Sequence, residues 1–283
     1  MPATVVPSRD LAFRVADGPF ADGLSTAVLT GAEKGSIHLE VALSRLEPGG
    51  VVRGHRHFYE ESFYILEGEV LVSIDGQAFV MRDDDFGLVP SAIPHAWANR
   101  GDAPVTWFRM RSPQPRSVAG TGGTFPAHEV AVPTHGASVG DPHPTQRYVG
   151  HFEDHHLPAP GPISMKGYRG PNVTSVSIWM MIDEYVGAMH HTMFMVQFVP
   201  GATTHPGGDH FHPFEEAYYF LQGSAIAHLD GQNLPVEAGD LVFAGTNALH
   251  GYTMTSDVPV RWIEVQAPAP TASGAFVFPA DWQ

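Results

Sequence analysis

Gly49-Gly50-Val51-Val52-Arg53-Gly54-His55-Arg56-His57-Phe58-Tyr59-Glu60-Glu61-Ser62-Phe63-Tyr64-Ile65-Leu66-Glu67-Gly68 carries two histidines at alternate positions, a glutamate four residues on, and a closing glycine. The chain then repeats itself. His55, His57, Glu61 and a later His95 recur as His210, His212, Glu216 and His250, at a constant offset of 155 residues. The offset also holds for Tyr64/Tyr219, Leu66/Leu221, Gly68/Gly223, Asp75-Gly76-Gln77/Asp230-Gly231-Gln232, Asp85/Asp240 and Trp107/Trp262. A repeat of this kind means one structural unit built twice. Side chains i and i+2 of a strand face the same way, so His55 and His57 project together, as do His210 and His212. Three imidazoles and a carboxylate make the ligand set of a mononuclear metal site.

Around these histidines the chain reads as strands. Val70–Ile74 and Ala78–Met81 flank Asp75-Gly76, and Ala225–Leu229 precedes Asp230-Gly231. Asp-Gly between two apolar runs is a strong hairpin signal, because both residues accept positive φ. Ile37 to Arg45 reads as a strand ending in a turn at Glu47-Pro48-Gly49-Gly50. Many short strands at this spacing favour a barrel or a sandwich, and 30 Gly with 25 Pro in 283 residues lean towards all-β. The expected fold is all-β, two tandem barrels, with residues 1–115 and 172–283 as the barrels. A Pro/Gly/His-rich connecting segment, residues 116–171, joins them, either packing over one or both or serving as a plain linker. Before His210 the second repeat gains three residues, read as a longer loop at the barrel mouth.

A net charge of -15 argues against nucleic acid and anionic membrane surfaces, which need Lys and Arg in excess. No cysteine is present, so any metal is held by nitrogen and oxygen. The first ten residues lack a basic-then-apolar leader, and no apolar run approaches the roughly 20 residues needed to span a bilayer. The expectation is a cytoplasmic protein acting on a small molecule.

The motif resembles the cupin superfamily. Its first signature stands intact as Gly49, His55, His57, Glu61 and Gly68, and its second as Pro90, His95 and Asn99, with Asp84 and Ala92 where glycine is usual. In the second repeat His210, His212, Glu216, Gly223, Gly239 and His250 match, while Gly245 and Met254 depart. The whole looks like a bicupin, each barrel a double-stranded β-helix or jelly roll. The resemblance implies one divalent ion per barrel, held by His55, His57, Glu61 and His95 and by His210, His212, Glu216 and His250. Fe(II) or Mn(II) is favoured by an N/O set with open positions; Ni(II), Co(II) and Zn(II) also suit it. A homodimer is compatible, since cupin sheets often pair edge to edge.

Fold alone does not choose a reaction. The leading expectation is an oxygenase acting on an enol, phenol or carboxylate-bearing substrate, with Glu61 or Glu216 accepting a proton. Alternatives are a non-redox hydrolase or lyase, similar to ureidoglycine aminohydrolases or to decarboxylases, and a metal-stabilised binding protein. By alternation Arg53 faces the interior with His55 and could hold an anion. His205, in the inserted loop beside Asp209, could shuttle protons. Arg109 reads as a rim salt bridge, Glu129 and Glu153 as candidate lid carboxylates, and His190-His191 as strand surface.

Overall fold

A computed structural model of the chain describes residues 3–16, 20–115, 123–140, 148–163, 165, 168, 173–270, 276 and 278. Parts of the connecting segment (116–122, 141–147, 164, 166–167 and 169–171) and Asn172 lie outside the described residues. The chain divides into two compact units, both built from β-strands that curl into barrels. No helix among the described residues is long and apolar enough to cross a membrane.

The N-terminal unit comprises Ala12–Glu153 and Ile182–Ala188. Its backbone is the long strand Glu40–His57, which pairs with Ala21–Thr30, Val105–Ser112 and His95–Ala98. The expected turn at residues 47–50 is a bend inside this strand. Leu46 opposes Leu24 and Val51 opposes Asp22, so the residues between have no partners in step, and Gly49 takes φ 75° there. The hairpin Val70–Ile74/Gln77–Met81 closes at Asp75 and Gly76, both at positive φ as the turn requires. Indoles Trp97 and Trp107 stack 4.8 Å apart in the core, with Phe63 edge-on to Trp97. Asp84 and Ala92, standing at glycine positions of the signature, adopt φ 69° and 65°. The turns therefore keep their left-handed shape at a cost of about 1–2 kcal/mol each.

The C-terminal unit holds Met1–Leu11, Asp154–Met181 and Met189–Gln283. One sheet runs Thr4–Val6, Leu241–Ala244, Glu215–Gln222, Val260–Ala267, Thr192–Phe198, Val176–Ile182, and a second runs Gln232–Glu237, Ser224–Leu229, His250–Met254. Its core gathers Phe194, Phe198, Tyr218, Phe220, Tyr252 and Trp262. Position in the chain places the first residues with the first barrel; pairing puts them in the second. Val5 opposes Val242, and Asp240 Oδ1 accepts from Ser8 N at 2.7 Å. Strand partners are chosen by an available edge, which chain position does not encode. The connecting segment is also divided. Thr124–Pro126 pairs with the histidine strand, Phe125 opposite Arg56, while residues from Asp154 onward join the C-terminal unit.

Gly54, immediately before His55, has the segment 127–130 pressed against it. A Cβ at Gly54 would sit 2.4 Å from the carbonyl oxygens of Ala127 and Val130. Both are backbone atoms with no rotamer to give way. Gly54→Ala is expected to lower stability by about 1–3 kcal/mol, the usual cost of overpacking, measured by thermal unfolding.

Candidate metal centre

The six motif histidines share one local device. Each donates its Nδ1–H to a backbone carbonyl two residues away: His55 to Arg53 (2.8 Å), His57 to Tyr59 (2.6 Å), His95 to Ile93 (3.0 Å), His210 to Gly208 (3.0 Å), His212 to Phe214 (2.8 Å) and His250 to Ala248 (3.0 Å). Fixing the proton on Nδ1 leaves the Nε2 lone pair of every ring for the barrel interior, which is how a protein presents imidazole to a metal.

In the C-terminal barrel the rest of the set is in place. Among the described residues, His210, His212, Glu216 and His250 form the one group whose donor atoms all lie within 4.8 Å of one another. His210 and His212 lie outside the named strands, His210 meeting His250 through an isolated β-bridge, and Glu216 enters from Glu215–Gln222. Glu216 Oε2 stands 2.8 Å from His212 Nε2 and 3.2 Å from His250 Nε2, and also accepts from the Tyr218 hydroxyl. Its Oε1 accepts from Gln266 Nε2 at 2.7 Å. Burial opposes ionisation of Glu216, but the surrounding imidazoles and hydrogen bonds reverse it and hold the carboxyl well below its usual range. Burial, then the His250 charge, pushes His210 down to about 3. Imidazole nitrogens and a carboxylate converging at one buried point are the donor types that a divalent ion takes. Such a set is satisfied by a cation, and a divalent ion fits these donors.

The N-terminal set is arranged differently. Ring centroids of His55 and His95 lie 4.0 Å apart and those of His57 and His95 4.7 Å apart, and the buried His57 Nε2 has no hydrogen-bond partner among the described residues. Burial lowers all three, His57 to about 4. Glu61, however, is engaged by Arg111, whose Nε donates to Glu61 Oε2 at 2.5 Å. Burial disfavours the Glu61 charge, and the guanidiniums of Arg111 and Arg109 outweigh that and hold it well below the carboxylate range.

Three expectations about neighbouring residues change. Arg53 is exposed, its side chain 48% accessible, and pairs with Asp22 instead of joining His55 and His57. The pairing of Glu40–His57 with His95–Ala98 shifts register between Val52 and His55, so the two-residue alternation that pointed Arg53 inward breaks there. Arg109 is no rim residue: it is buried at 8% exposure on the interior face, two residues from Trp107. His191 is also fully buried. His205 stays on its loop, bonded to Asp209 (Nδ1–Oδ2 2.6 Å) and stacked on His228 with centroids 3.7 Å apart. Glu129 and Glu153 make surface ion pairs with Arg56 and His151.

A cavity of about 60 Å³ opens beside His210 in the C-terminal barrel. Apolar residues Ile178, Val196, Phe198 and Trp262 line it together with Tyr218, Tyr252 and Glu264. The buried Tyr252 hydroxyl has no hydrogen-bond partner among the described residues. Burial, with the nearby carboxyls Glu264 and Glu216, keeps that phenol protonated by pushing it well above its usual range.

The family model for the Cupin domain matches residues 42–110 and 194–266, one stretch in each barrel. The chain belongs to the cupin family. This bicupin is 22% identical to quercetin 2,3-dioxygenase of Bacillus subtilis, over 84% of this chain and 75% of that protein. It is 35% identical over 80 residues to the protein named polyketide synthase CurC of Streptomyces cyaneus, and spans 49% of that protein's length. Its fold is similar to the crystal structure of Lactobacillus farciminis oxalate decarboxylase in complex with formate. There the TM-score is 0.64 at 19% identity, covering 98% of this chain and 89% of that one.

Proposed function

We propose that this bicupin is a metal-dependent oxygenase whose C-terminal barrel acts on a small, flat organic molecule bearing a hydroxyl. The observation that carries this reading is the juxtaposition of the four-ligand cluster with an apolar cavity holding an unpartnered Tyr252 hydroxyl. A concave apolar pocket with a few convergent polar groups is the ordinary form of a small-molecule site. The likeness to a quercetin dioxygenase over most of the chain supports oxygen chemistry.

His210, His212, Glu216 and His250 would hold the catalytic ion, Fe(II) or Mn(II) by the N/O donor set. His55, His57 and His95 would hold a second, with Glu61 shared by Arg111. A divalent ion supplies Lewis acidity and exchangeable positions. The protein's own groups do the rest. Aromatic walls exclude water and orient a flat ring. Tyr252 donates a hydrogen bond to the substrate hydroxyl or its oxyanion. Glu216, tied to Tyr218 and Gln266, would take up the substrate proton. His205, its Nδ1 held by Asp209 on the inserted loop, would serve as a proton relay.

Elemental analysis of protein purified without chelators, followed by oxygen-electrode assays on enols, catechols and flavonols, tests the reading. Oxygen consumption matched to substrate loss is expected. Ammonia or carbon dioxide release with no oxygen uptake would replace the oxygenase by a hydrolase or lyase. Tyr252→Phe is expected to leave thermal stability unchanged, because the hydroxyl has no partner to lose. The same change should raise KM about 3- to 10-fold, the worth of one hydrogen bond of 0.5–1.5 kcal/mol. Steady-state kinetics and a melting curve check both halves.

A further inference from the structure

The two barrels share a register but not a charge. Arg109 and Arg111 on Val105–Ser112 correspond, at the offset of 155, to Glu264 and Gln266 on Val260–Ala267. Strand pairing preserves the match. Arg111 opposes Glu61 as Gln266 opposes Glu216, and Arg109 opposes Phe63 as Glu264 opposes Tyr218. Both positions face the interior, because they alternate with Trp107, which stacks on Trp97 in the core. Where the C-terminal barrel has an acid and an amide, the N-terminal barrel has two guanidiniums.

Arg111 is well used: it donates to Glu61, approaches Glu40 Oε1 at 3.4 Å, and lies 5.0 Å over the Tyr59 ring. Arg109 is not. Among the described residues its Nε is buried without a hydrogen-bond partner, and the carboxylate oxygen within ion-pair reach, Glu40 Oε1, stands 3.8 Å away and is shared with Arg111. Its charge is nonetheless felt by His55 and by Glu61. Burial, and then the charge of Arg111, lower its hold on a proton, as befits a cation short of partners. A buried guanidinium whose Nε edge makes no hydrogen bond is costly, and that edge forms a fork that matches two coplanar oxygens.

We infer that the N-terminal barrel binds a small carboxylate-type anion on Arg109, beside the His55/His57/His95 cluster, while the C-terminal barrel takes uncharged molecules. Residue pairs 109/264 and 111/266 thus divide the substrate chemistry of the two halves. The inference is independent of the reaction assigned to the C-terminal centre.

The probe is sodium acetate, titrated into the full chain at constant ionic strength with chloride as the balancing anion. Ligand-observed NMR on the protein as purified and after chelator treatment reads the affinity. Binding is expected in both preparations. Arg109→Met should weaken it by about tenfold or more, the loss of a charge-assisted hydrogen bond. Glu40→Gln, at a partly exposed residue, should tighten it severalfold by removing the competing carboxylate. A merely structural role for Arg109 would produce no such opposite pair. His212→Ala should leave acetate affinity intact. No acetate binding, binding lost with the chelator, binding lost in His212→Ala, or no change in Arg109→Met would each overturn the assignment. Should Arg109→Met not fold, an unchanged or weakened affinity in Glu40→Gln overturns it equally.

Discussion

His212→Ala is expected to empty the C-terminal centre and to reduce turnover about a thousandfold. The Lewis acidity of a bound ion is worth several kcal/mol, and each 1.4 kcal/mol off a barrier is a factor of ten. The ring cannot be replaced by a neighbour, because its Nδ1–H is fixed on the Phe214 carbonyl and its Nε2 lies 2.8 Å from Glu216. Removing it leaves Glu216 buried with one lone-pair partner fewer and room for water. Metal content per chain, set beside His57→Ala, checks the argument. His212→Ala should lose the C-terminal ion and the activity, and His57→Ala the N-terminal ion alone. Full occupancy and turnover in His212→Ala would remove this cluster from the chemistry. Loss of both ions in His57→Ala would show that the two sets are not separate sites.

Much of this was legible in the chain because it rests on spacing. His55-x-His57 on a strand and the Asp-Gly turns follow from the two-residue pleat and from positive φ, both local properties, and the offset of 155 is a direct match of the chain to itself. What was not legible depends on partners chosen at a distance. Alternation pointed Arg53 inward, but a register shift between Val52 and His55 sends it to Asp22. Thr4–Val6 gives no sign in its own sequence of pairing with residues 241–243. The most instructive residues are Arg109 and Arg111. Counting by twos from Trp107 places both inside the barrel, and extending the repeat to 264 and 266 exposes the exchange of charge. The signal lies in the sequence, set against the general preference of arginine for the surface.

Arg111→Met is expected to destabilise the N-terminal unit by about 3–5 kcal/mol, the usual result of removing one partner of a buried ion pair. Glu61 is buried, and Arg111 is the cation bonded to it at 2.5 Å. Without that guanidinium the carboxylate keeps its desolvation cost and loses its main compensation. The sign with pH follows from the depressed Glu61 titration. The stabilisation of the pair is full above the pKa of an unfolded glutamate, about 4.3, and is lost in stronger acid, so wild type and variant converge as pH falls. Divalent metal should act in the opposite direction. Glu61, released from Arg111, joins His55, His57 and His95 in the composition of the C-terminal set, so Mn(II) should stabilise the variant more than the wild type. Urea unfolding with and without Mn(II), at neutral and acid pH, measures all three effects. An unchanged midpoint in Arg111→Met would mean that Glu61 is compensated elsewhere. Equal stabilisation of both proteins by Mn(II) would mean that the carboxylate is no ligand even when free, and the N-terminal barrel would then hold its ion through imidazoles alone.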